Sequence, residues 1–121
     1  MNLSTVGLVV LGAGVGAPAR YLVDRLVTER TTVSRIPLGL LVVNVVGSVL
    51  LGIVLGLHNP TLAIVIGSGF CGALTTFSGF AWESNALWRE RRSAFWGFVL
   101  LMTALCIAGF WCAWSITSVL A

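Results

Sequence analysis

Where charge falls along this chain limits its fold more than any other feature. The seven basic and four acidic side chains all lie within Arg20–Arg35 and Glu83–Arg92. Met1–Ala19, Ile36–Trp82 and Ser93–Ala121 carry no formal charge. A soluble domain of ordinary composition is about 25% charged. Here the figure is 9%, with 58% apolar residues, mean hydropathy +1.02 and no lysine. Uncharged tracts of this length belong in a membrane. As one helix the middle tract would reach on the order of 70 Å, about twice a ~30 Å hydrocarbon core, so it must fold back on itself. His58-Asn59-Pro60 supplies the turn, because proline ends the preceding helix and suits the first position of the next. Four spans are predicted: Leu3–Val27, Ile36–Leu57, Thr61–Leu87 and Ser93–Leu120. They use nearly the whole chain as one all-α transmembrane domain, residues 1–121.

Several function classes fall away on the same grounds. Four spans leave no room for a nucleotide-binding motor. Seven arginines split between two loops and offset by four acids make no basic stripe for nucleic acid. Ala17-Pro18-Ala19 resembles a small-x-small cleavage site, but Met1-Asn2 is no basic leader and a proline lies inside the site, which favours a retained first span. Cys71, Cys106 and Cys112 share no metal-ligand spacing and are expected to be small packing residues.

In a four-span chain the first and third loops share one side of the membrane. Arg20, Arg25, Arg30 and Arg35 flank the first loop and Arg89, Arg91 and Arg92 the third. The positive-inside rule makes both loops cytoplasmic and both termini external. Trp82, Trp88 and Trp96 around the third loop, with Trp111 and Trp114 toward the other end, suit interface anchors.

Polar residues inside hydrocarbon need partners, and few are present. Asn44, Ser48, Gly52 and Gly56 recur at i, i+4 and form one narrow stripe on the second span. The stripe suits close helix packing with an amide hydrogen bond across the interface; it also suits donation from the amide and hydroxyl to a permeating species. Taken alone it favours packing. On the first span, Gly12 and Gly16 lead one turn later to Arg20, which either snorkels to headgroups or draws anions toward a vestibule.

The third span is the most informative. Gly67-Ser68-Gly69-Phe70-Cys71-Gly72-Ala73-Leu74-Thr75-Thr76-Phe77-Ser78-Gly79-Phe80 is poor material for a continuous helix, since glycine is costly in a helix and hydroxyls compete for backbone partners. A break is predicted near Gly72–Thr76. Irregular backbone at that depth requires surrounding protein or a cavity, and broken spans recur at ion sites. Phe77 and Phe80 face one way and pack as core, or present electropositive ring edges to an anion. No span carries a central Asp, Glu or Lys, so a proton-relay carboxylate is missing. Glu83 sits at the cytoplasmic end of the third span, where a solvated role suits it best. No nucleophile is paired with a base, which argues against an enzyme.

Three segments together resemble the Fluc (CrcB) family of bacterial fluoride channels. They are Gly12-Ala13-Gly14-Val15-Gly16-Ala17-Pro18-Ala19-Arg20-Tyr21; Val43-Asn44-Val45-Val46-Gly47-Ser48 with Gly52; and Gly69-Phe70-Cys71-Gly72-Ala73-Leu74-Thr75-Thr76-Phe77-Ser78 with Phe80 and Glu83. The resemblance implies a small four-helix subunit of the bacterial inner (plasma) membrane that pairs antiparallel into a dimer. It implies two narrow fluoride pathways and a structural sodium ion (Na+) at the dimer interface. Carried across by motif, Asn44, Phe77, Ser78 and Phe80 would line the fluoride pathway. Arg20 and Glu83 would stand at its vestibule, and the backbone carbonyls of Gly72 and Thr75 would hold sodium. The resemblance also implies passive export of fluoride that enters as neutral HF and dissociates in the cytoplasm. Fluoride is small and strongly hydrated, so a pathway must replace water's donors; a fixed positive charge at mid-pore would trap it.

This chain departs from the family pattern where two hydroxyls are replaced by Gly79 and Ala81, which thins the polar track. No fourth-span residue is transferred. A chain that inserts both ways should have balanced arginines, yet seven face one side, so one fixed orientation and a homologous partner of opposite bias are expected as an alternative to a homodimer. The competing readings are a small four-span drug or cation antiporter and a non-conducting assembly subunit.

Overall fold

The computed structural model describes residues 1–30 and 36–121. Four of its helical spans are long and apolar enough to cross a membrane: Leu3–Arg30, Leu38–Gly56, Pro60–Glu90 and Arg92–Leu120. We label Leu3–Arg30 α1 and Leu38–Gly56 α2. The third span divides into α3, made of Pro60–Leu62, a π-helical stretch Ala63–Cys71 and Gly72–Leu74, and α4, Phe77–Glu90. The last span is α5, Arg92–Leu120.

α1 runs past the predicted Val27 to Arg30. Arginine and glutamate are good helix formers, and Arg25 Nε donates to Glu29 Oε1 at 2.7 Å, one turn on. The helix also passes unbroken through Pro18. Arg35, counted with the first loop, lies outside the described residues. The turn between α2 and α3 forms as its sequence predicts. His58 takes a left-handed conformation at φ 55°, and Asn59 Oδ1 accepts from Leu62 N at 3.1 Å. Pro60 then occupies the first turn of α3, where its missing N–H is no loss.

Glycine decides how the helices pack. α1 lies against the π-helical stretch of α3 and α2 against α5. A Cβ on Gly12 would strike the carbonyl oxygen of Val65 and lie 2.8 Å from Phe70 N. One on Gly69 would lie 2.8 Å from Val9 O. These two backbones therefore touch, which is how small residues join helices in a solvent as apolar as their side chains. Gly52 and Gly56 do the same for α2, against Phe110–Trp114 and Thr117–Ser118 of α5. The core between the spans is formed by Leu40, Val43, Leu74, Leu87, Phe98 and Met102.

Of the Asn44 stripe, then, Gly52 and Gly56 serve packing. Asn44 adds the amide hydrogen bond across the helix interface that the packing reading predicts, to Thr76 of the third span.

Candidate functional site

The predicted break falls at Thr75–Thr76. Thr75 has φ −82°, ψ 159° and Thr76 φ −150°, ψ 122°, extended values between two helices. An extended pair in mid-span loses helical hydrogen bonds that lipid cannot replace. Asn44 replaces them. Its Oδ1 accepts from Thr76 N at 2.9 Å, and its Nδ2 donates to Thr76 O at 3.3 Å. The side-chain amide thus closes on the peptide groups of Thr76 like a rung of β-ladder. Asn44 is only 8% exposed, so this clip lies deep in the bundle. Its Nδ2 also lies 3.7 Å from Met102 Sδ. On the α3 side, Thr75 Oγ1 donates back to Cys71 O at 2.9 Å. On the α4 side, Thr76 Oγ1 accepts from Gly79 N at 3.2 Å and caps the helix.

Two cavities meet at this break. The larger, about 860 Å³, is lined by Arg20, Asp24, Glu83, Ser78 and Thr76 among others. Residues of the first and second charged blocks face each other here, so both blocks lie at one end of the bundle, as the arginine pattern predicts. The smaller cavity, about 400 Å³, is lined by Asn44, Thr75, Thr76, Phe77, Phe80 and Thr103 together with Gly72, Ser48 and three sulfur-bearing side chains. Among the described residues it is lined by no charged group. A charged vestibule therefore adjoins an uncharged groove that is open on the surface of the single chain, where Phe77 is 79% exposed.

The sequence-derived residues divide between the two. Arg20 and Glu83 lie together in the vestibule, and Asn44, Phe77 and Phe80 together in the inner cavity. Ser78, grouped by sequence with the phenylalanines, instead faces the vestibule. The reason is helical geometry: Ser78 is one residue past Phe77 and points about 100° away from it. The Phe77 and Phe80 rings stand 5.8 Å apart, tilted by 45°. Phe80 continues 5.7 Å to Phe98 of α5, which is wholly buried. Phe80 is thus braced by the core, while Phe77 is 79% exposed and ready to contact a partner or lipid.

Some residues at or near these cavities escape the sequence reading. Thr76 borders both cavities, but one threonine of an adjacent pair has no distinguishing signal. Met102, Thr103 and Cys106 bring α5 to the inner cavity; only their i, i+3, i+4 relation hints at a shared face. Ser84, 7% exposed, follows Phe80 by one turn, and its Oγ has no hydrogen-bond partner among the described residues. The hydroxyl lost at Gly79 has a local account: a Cβ there would lie 3.0 Å from both Leu40 Cδ1 and Thr76 Cγ2.

The break also bears on the carbonyls of Gly72 and Thr75. Thr76 N, which would bond Gly72 O in a continuing helix, is taken by Asn44. Gly72 O is thus released from that bond, in a residue that is exposed. Thr75 O meets Arg20 Nη1 at 3.5 Å, the outer limit of a hydrogen bond, and keeps a second lone pair. Neutral carbonyl oxygens of this kind fit a hard monovalent cation.

Fold and site define a class: a four-span membrane protein with an interrupted third span. The family model described as "CrcB-like protein, Camphor Resistance (CrcB)" matches residues 7–115. A Nocardia farcinica protein named fluoride-specific ion channel FluC 1 is 44% identical over 93% of this chain and 80% of its own length. A Geobacillus kaustophilus FluC 1 is 44% identical over 88% of this chain and 89% of its own, and a Rhodococcus jostii FluC 2 is 42% identical over 91% and 93%. The chain belongs to the CrcB-like family.

Proposed function

We infer that this protein is a subunit of a fluoride-specific ion channel that lets cytoplasmic fluoride leave passively, and that it is not an enzyme. The observation that carries this reading is the charged vestibule opening beside an uncharged groove of hydroxyls and ring edges, with the Asn44 amide holding the break behind it. Arg20 attracts the anion to the mouth. Beyond it, neutral donors replace water without a fixed charge that would hold the ion in place. Phe77 and Phe80 offer ring edges, whose positive rims suit a small anion. An antiporter would need a protonatable group in mid-span, and the spans have none at their centres.

In this reading Gly72 and Thr75 carbonyls hold a structural sodium ion, which would join two subunits by supplying positive charge between their helix breaks. The chain resides in the inner (plasma) membrane of a bacterium and works as an antiparallel dimer, with itself or with a homologous subunit. The large exposed apolar side chains of α1 and α5, such as Leu11, Val15, Leu100 and Ile107, provide surface for lipid and partner.

The direct test is fluoride efflux from liposomes carrying the protein, alone and with a homologous partner, against chloride and proton-gradient controls. Fluoride flux that ignores the proton gradient is expected. Silence under both conditions removes the channel reading and leaves a purely structural subunit; flux that requires a proton gradient favours the antiporter.

The arginine bias also predicts one orientation. Site-specific labelling of the termini in native membranes should find them external in nearly all copies. Equal populations facing each way would overturn the fixed-orientation heterodimer in favour of a homodimer.

A further inference from the structure

We infer that Asp24 is the outer charge of the vestibule and sets how readily an anion enters it, a role separate from those of Arg20 and Glu83. This rests on the channel reading above. α1 runs toward its end at Arg30, so Asp24 lies one turn, about 6 Å, beyond Arg20 on the same helix face. Both line the vestibule. Opposite charges one turn apart can pair. Here they do not: among the described residues the one ion pair is Arg25 with Glu29, and Arg20 Nη1 turns inward to Thr75 O at the break.

Gly39 explains where the carboxylate goes instead. A Cβ there would strike Asp24 Oδ1 and lie 2.7 Å from Asp24 O, so the missing side chain leaves a seat on the first turn of α2 that the Asp24 carboxylate fills. Gly39 is buried, and its neighbours Pro37, Leu38 and Leu40 line the vestibule. The N-terminus of α2 favours a negative charge, and Pro37 gives it no side-chain cap. The guanidinium of Arg20 is therefore not neutralised by its neighbour, and the two charges act at different depths. An anion approaching the break passes Asp24 first and is repelled there; beyond it, the field of Arg20 draws the ion on. Glu83 adds to the repulsion, so the described lining carries one positive and two negative side chains. Asp24 thus limits entry through its field, without touching the ion.

The test uses the full chain in liposomes of zwitterionic lipid, with fluoride flux read by an ion-selective electrode below and above saturation and with wild type run in parallel. Asp24→Asn keeps the shape of the side chain and removes its charge. At low ionic strength and sub-saturating fluoride it should conduct about two- to threefold faster than wild type, the weight of one unit charge at about 8 Å in water. The gain should vanish in molar inert salt, where the Debye length is only about 3 Å. It should vanish also at saturating fluoride, because entry alone is altered. Asp24→Ser, neutral and shorter, should show the same gain; Asp24→Glu, which keeps the charge, should show none. Unchanged or slower flux in both neutral variants, a gain that survives molar salt, or an equal gain in Asp24→Glu would overturn the assignment. So would loss of the monodisperse size-exclusion peak in both neutral variants, which would make the carboxylate a structural strut between α1 and α2. A silent wild type would instead overturn the channel reading on which the assignment depends.

Discussion

Asn44→Leu is expected to abolish measurable fluoride flux while the protein still inserts and assembles. Leucine is close to asparagine in shape but has neither arm of the clip. Thr76 N and Thr76 O, now held at 2.9 and 3.3 Å by the amide, would both be left unpaired in a site shielded from water. Each such group costs about 1–3 kcal/mol, and every 1.4 kcal/mol is about tenfold in an equilibrium. The break would drift from its geometry, so a loss of at least roughly a hundredfold is expected. Assembly should survive because the glycine contacts of α1 with α3 and of α2 with α5 lie elsewhere. The measurement is efflux from liposomes together with size-exclusion elution in detergent. Normal flux would show that the clip is dispensable.

Gly12→Val should act on the fold itself. Even its first carbon would collide with the Val65 carbonyl and approach Phe70 N at 2.8 Å, both of them backbone atoms. A rotamer change cannot relieve contact with backbone, so α1 must separate from α3. Overpacking of this kind costs about 1–3 kcal/mol or more, and the expected result is loss of the monodisperse peak on size exclusion. Gly7→Val and Gly14→Val are the matched comparisons, since a Cβ at either position meets nothing within 4 Å. Equal behaviour of all three variants would refute the close α1–α3 contact.

The sequence is most legible where the membrane dictates the answer. Charge-free tracts define the spans, and Pro60 behind Asn59 defines the central turn. Glycines and hydroxyls locate the break to within a few residues, because lipid offers no substitute for lost helical bonds. Helix ends are less legible: α1 continues to Arg30 since hydropathy marks where the membrane ends, not where helical bonding ends. The π-helical course of Ala63–Cys71 leaves no trace in a run of glycine and isoleucine. The site is readable as a set of residue types but not as partners. Asn44 is conspicuous as an amide in a Leu/Val helix, yet its engagement with Thr76 requires knowing how α2 and α3 are placed. The separation of Ser78 from Phe77 and Phe80, by contrast, follows from helical spacing alone, since neighbours on a helix point about 100° apart.

The Asn44 clip has a consequence for the order in which the bundle forms. The groups that pair both the N–H and the C=O of Thr76 in the third span come from the second. Before these two spans meet, Thr76 has no partner in lipid except its own helix, and a continuous helix is then the least costly form of the segment. The bonds that hold the interruption open are completed only when α2 docks. One side-chain amide thus ties the shape of the third span to the docking of the second.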